Sequence, residues 1–125
     1  MGDVLIVIGA VLAILLGAFH FLSTKKALGG FPDLAIAPRR MLLGMWNGVG
    51  FMVIYLGAIP LALVLLGAYA GTCKTAVGIS AVALAGVLAI ADVVTYWPAK
   101  SAIPKAVSPV FAVIAALIAV GTFVL

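Results

Sequence analysis

Apolar residues run almost unbroken through four stretches, Val4–Leu22, Met41–Ala70, Thr75–Tyr96 and Ala106–Leu125. Polar and charged residues collect between them. A membrane crossing needs roughly 20 apolar residues at about 1.5 Å rise each. The first, third and fourth stretches each fit one crossing. The second is too long for an upright crossing and too short for two, so it tilts or carries an interfacial turn. Period-two alternation is absent, and lipid accepts only helices or closed barrels, so all four are read as helices. Pro60 lies inside the second. It removes one backbone hydrogen bond and is the expected kink and hinge.

The connectors differ in length. Residues 23–40, with "LGGFPDLAIAP", have room for a short interfacial segment. "AGTCK" at 70–74 reads as a tight turn. Residues 97–107 hold Lys100 and Lys105. "SPVF" at 108–111 reads as a helix start, with Ser108 as N-cap and Pro109 at the first helical position. Lys25, Lys26, Arg39 and Arg40 crowd the first connector, whereas the second has Lys74 alone. The positive-inside rule then puts connectors 23–40 and 97–107 in the cytoplasm and both termini outside. Trp46, Tyr96 and Trp97 fall near the cytoplasmic interface and Tyr69 near the other. Together these features predict an all-α, integral membrane four-helix bundle of up-down-up-down order. It forms a single transmembrane domain, residues 1–125, in the cell membrane.

Composition agrees. The chain is 67% hydrophobic and 8% charged, with mean hydropathy +1.44, too little polar surface to cover a soluble domain of this size. The net charge of +4 is concentrated in one connector and reads as a topology signal, not a nucleic-acid footprint. The start of the chain has Asp3 before its apolar run and lysines after it, unlike a removable signal peptide. Ile6 stands where myristoylation wants Ser or Thr. "AVLAILLGAF" at 10–19 is similar to "PLALVLLGAY" at 60–69, a likeness that so narrow an alphabet produces by chance.

Asp92 is the one acid inside the third apolar run. It lies five residues before Trp97, about 7–8 Å into the helix. His20 lies five before Lys25, Asn47 seven after Arg40, and Ser108 opens the fourth helix. All four fall at similar depth on the cytoplasmic side. His20 shares a helical face with Gly9, Ala13 and Gly17. Asp92 shares one with Gly78, Ala81, Ala85, Ala89 and Tyr96. Small residues at that spacing let helices approach closely. An ionisable group at a helix centre costs roughly 2.5–3.5 kcal/mol on insertion scales and less near the interface. The expectation is a polar cluster of His20, Asn47 and Asp92, with Tyr96 beside it, as a binding or proton-relay site. Plainer readings stand beside it. Asp92 can snorkel or pair with Lys100, His20 can be structural, Asn47 can be helix glue, and Trp46 and Trp97 can be interfacial anchors.

Much chemistry is set aside. One cysteine, Cys73, excludes an internal disulfide or cysteine metal cluster. No metal-ligand spacing, phosphate loop or nucleophile motif is present, and "GVG" at 48–50 has no preceding strand. No cofactor is expected. With one His, haem would need a ligand from each of two subunits, and a quinone is the other cofactor chemistry compatible with these residues. His20 with Asp92 is a conceivable acid–base pair, but without a third catalytic group the reading leans away from an enzyme.

"GAFHF" at 17–21, a basic connector with Pro32 and Pro38, and "IYLGAIPLALVLLG" at 54–67 resemble the pattern of DoxX-like small four-helix membrane proteins. The resemblance covers about the first half of the chain. The acid often expected in that family's second helix is missing. It implies a four-helix bundle and an accessory role beside membrane redox complexes, with His20 as the position of interest. Three functions follow in order. The first is an accessory or structural subunit, or a self-associating bundle. The second is a small oligomeric transporter or channel for protons, cations or a small amphiphile, using Asp92 and His20. The third is a lipid- or quinone-binding protein. The partners expected are the bilayer and either further copies or other membrane subunits, with no nucleic acid.

Overall fold

The structure, a computed structural model, describes residues 1–29, 33, 35–96 and 102–124. Within these, the side chains at 27, 95, 96, 102–106 and 108 fall outside the description. Every described element is an α-helix: α1 Gly2–Leu22, α2 Thr24–Gly29, α3 Ile36–Leu65, α4 Gly71–Tyr96 and α5 Ala102–Phe123. Among the described residues, α1, α3 and the stretch Gly71–Val94 are long and apolar enough to cross a membrane. The apolar stretch of α5, Pro109–Phe123, is shorter. The chain is therefore a small helical membrane protein.

The helix bounds depart from the apolar runs for local reasons. α3 spans 36–65, where the apolar run predicted 41–70. It begins earlier because Pro38, Arg39 and Arg40 fit a first turn. The N–H groups there have no intrahelical partner, so a proline loses nothing. It ends earlier because the chain leaves it through a Schellman turn, in which the Ala68 N–H donates to the Leu63 carbonyl at 2.8 Å and Gly67 to Val64 at 3.0 Å. Gly67 takes φ +67 there, a conformation that costs glycine alone nothing. α4 starts at Gly71 instead of 75, so Cys73 and Lys74 lie in its first turn. α5 starts at Ala102 instead of 106. Pro109 is then interior and not the first helical residue, which corrects the expected start at Ser108. Pro109 frees the carbonyl four residues back, an arrangement that membrane helices accommodate. Within the connector 23–40, where a short segment was expected, the chain forms the six-residue α2.

Packing rests on close approach at small residues, since lipid supplies no hydrophobic drive between helices. A Cβ on Gly17 would lie 2.8 Å from the Gly50 carbonyl and 2.9 Å from the Ile54 nitrogen. One on Gly57 would fall on the Ala10 carbonyl. Those two contacts make α1 and α3 an antiparallel pair. α5 meets α1 at Gly121, whose added Cβ would stand 2.6 Å from the Gly2 carbonyl, and meets α4 where Gly78 receives Thr122. Ala13, Val53, Leu56, Ala81, Ala85, Phe111, Ile114 and Ile118 fill the space between. α3 and α4 touch along a far shorter seam than α1–α3, α4–α5 or α1–α5. Many large apolar side chains, Leu15, Phe51, Leu65 and Val87 among them, are exposed, as in helices bathed by lipid.

Candidate functional site

The polar end of the molecule is built around the last turn of α1. The His20 carbonyl is one of the helix-terminal carbonyls left short of intrahelical donors. Three side chains reach it: Ser23 Oγ at 3.0 Å, Thr24 Oγ1 at 3.3 Å, and Trp46 Nε1, from α3, at 3.0 Å. The Trp46 ring also stacks on the imidazole, with centroids 4.1 Å apart and planes 18° from parallel. Gly50 makes room for this arrangement. A Cβ there would stand 3.1 Å from the Phe21 ring and 3.4 Å from His20 Cδ2. Phe21 in turn meets Phe51 edge-on at 4.9 Å.

His20 and Asp92 sit on the small-residue faces that the spacing marked. Gly9, Ala13 and Gly17 are buried on α1. Gly78, Ala81 and Ala85 are buried on α4, and Ala89 and Asp92 are half-buried. Each acid–base candidate carries a buried atom with no hydrogen-bond partner among the described residues, His20 Nε2 and Asp92 Oδ2. A buried polar atom left unpaired costs about 1–3 kcal/mol.

No hydrogen bond or ion pair joins His20, Asn47 and Asp92 among the described residues. α1 and α4, which carry His20 and Asp92, pack on α5 and not on each other among the described residues. Gly2 and Gly78 both pack at the C-terminal end of α5, against Gly121 and Thr122. Measured from that level along straight helices, His20 lies about 27 Å away and Asp92 about 21 Å, a difference of roughly one turn. Asn47 is half-buried beside Trp46 in the sequence. The Tyr96 side chain, Trp97 and Lys100 lie outside the described residues, so pairing of Asp92 with Lys100 does too. Pro60 is fully buried inside α3, which stays helical through it.

Two features were not singled out in the sequence. At the opposite end, the buried Tyr69 hydroxyl hydrogen-bonds Thr122 Oγ1 at 3.0 Å, tying the α3–α4 connector to α5. The signal available was general: a buried phenol needs a partner. Between α3 and α4 a cavity of about 310 Å³ opens outward, lined by Tyr55, Leu56, Ile59, Pro60 and the 76–84 stretch of α4. Among the described residues no group of three His, Cys, Asp or Glu gathers as a metal site.

No family model, curated protein or solved structure matches the chain.

Proposed function

We propose that the chain is an up-down-up-down four-helix bundle of the cell membrane that serves as an accessory or structural subunit, associating with further copies or other membrane subunits. Connectors 23–40 and 97–107 face the cytoplasm and both termini face outward. One observation carries this reading. Gly9, Gly17, Gly50, Gly57, Gly78 and Gly121 are each used for close packing within the chain, but Gly44 and Gly48 are not. A Cβ on either would meet nothing within 4 Å among the described residues. Four residues apart on one helix, they form a small-xxx-small face suited to a second transmembrane helix. The resemblance to DoxX-like proteins supports an accessory role beside a membrane redox complex. The test is sizing in lipid nanodiscs. Wild type is expected as an oligomer or with a co-purifying subunit, and Gly44→Leu with Gly48→Leu as a monomer. A wild type that is monomeric and free of partners overturns the reading.

A second reading draws on the unpartnered atoms of His20 and Asp92: a small transporter or channel for protons, cations or an amphiphile, assembled from several copies. Flux into reconstituted vesicles should fall with Asp92→Asn. Equal flux removes this reading.

A further inference from the structure

The opening between α3 and α4 has dimensions, depth and chemistry that select an occupant. Its volume, about 310 Å³, is far below that of a helix 10–12 Å across and accommodates about one alkyl or isoprenoid chain segment. Its walls are Leu56, Ile59, Pro60, Val77, Ala81 and Leu84. Two hydroxyls stand among them, on opposite helices. Tyr55 lies ten residues before the end of α3, and Ser80 nine after the start of α4. Each is therefore about 14–15 Å from the α3–α4 turn, near the middle of a hydrocarbon layer about 30 Å thick.

The two hydroxyls are not equivalent. Ser80 Oγ donates to the Ala76 carbonyl at 2.9 Å, so its proton is used within its own helix. The Tyr55 side chain is 65% exposed and makes no hydrogen bond among the described residues. A phenol at mid-bilayer without an acceptor is an unmet donor where no water supplies one. A saturated lipid tail has no acceptor to give it. An apolar chain that carries a carbonyl does.

We propose that the α3–α4 groove is a binding site for a membrane-soluble molecule made of a long apolar chain bearing a carbonyl oxygen, with Tyr55 as the hydrogen-bond donor. This site is separate from Gly44 and Gly48 and from the polar end at His20, and its mid-membrane depth rests on the crossing of α3 and α4 proposed above.

The test uses two matched photoactivatable probes in nanodiscs, a diazirine-bearing long-chain ketone and the corresponding hydrocarbon, with the labelled residues mapped by mass spectrometry. The ketone is expected to label residues 55–60 and 76–84 in excess over the hydrocarbon, saturably, and to be displaced by unlabelled ketone. Tyr55→Phe should lower the ketone's groove labelling roughly three- to tenfold, as loss of one hydrogen bond implies, and leave the hydrocarbon unchanged. Ala76→Phe, which adds bulk at the groove's lip without disturbing the core, should lower both. Equal, unsaturable labelling by both probes would mean bulk lipid only and overturns the proposal. So does an unlabelled groove whose residues cross-link to a second copy.

Discussion

The Trp46 indole N–H donates to the His20 carbonyl at 3.0 Å while its ring lies flat on the imidazole at 4.1 Å. One side chain of α3 therefore closes the end of α1 and holds the His20 ring in place. Trp46→Phe keeps a ring for stacking and removes the donor. Ser23 and Thr24 still reach the same carbonyl, so the expected loss is about 0.5–1 kcal/mol. Trp46→Ala loses the stack as well, adding about 0.5–1.5 kcal/mol. Thermal unfolding in detergent micelles checks the order wild type, Phe, Ala. A Phe variant as unstable as the Ala variant would assign the whole effect to the hydrogen bond.

The glycines divide into two groups with opposite expected responses. At Gly57 an added methyl falls on the Ala10 carbonyl and lies 2.9 Å from Ile14 Cγ1. The obstacle is backbone, so the helices must separate. Gly57→Ala should destabilise by about 1–3 kcal/mol. Gly86 has open space where its Cβ would go among the described residues, so Gly86→Ala should be neutral or stabilising by up to about 1 kcal/mol. Denaturation of both variants in the same micelle tests the packing, and a Gly57→Ala protein as stable as wild type would contradict the α1–α3 crossing.

At the far end, Tyr69 and Thr122 share a buried hydrogen bond. Tyr69→Phe and Thr122→Val should each cost about 0.5–1.5 kcal/mol. The double variant should cost clearly less than the two added together, because the second change removes a group already without its partner. Additive losses would show that the two hydroxyls act separately.

Hydropathy located the four long helices because a segment in lipid must satisfy its own backbone and displays that need as a long apolar run. It missed the ends, where composition and conformation part company. Leu66–Ala70 is as apolar as the helix before it, yet Gly67 turns the chain out. Arg39 and Arg40 are charged, yet they belong to α3 because a helix may protrude from the hydrocarbon. Small-residue spacing marked the inner faces of α1 and α4 for a steric reason that a sequence records directly. The polar end was less legible. Depths counted from Lys25 and Trp97 put His20 and Asp92 level, but a count along each helix does not say which helices touch, and α1 and α4 each pack on α5 and not on each other among the described residues. The role of Trp46 could not be read from its position at the interface, since that position suits an anchor equally well. It depended on which carbonyl α1 left open.

In the proposed topology the chain crosses the membrane with the α1–α3 connector on one side and the α3–α4 turn on the other. Cys73 and Lys26 are both exposed and mark those two sides. A membrane-impermeant maleimide applied to intact cells reads them directly, with Cys73 in the native chain and Lys26→Cys in a Cys73→Ser background. Cys73 should be labelled at once, and the cysteine at position 26 only after the membrane is permeabilised. Labelling of both from the same side would contradict that topology.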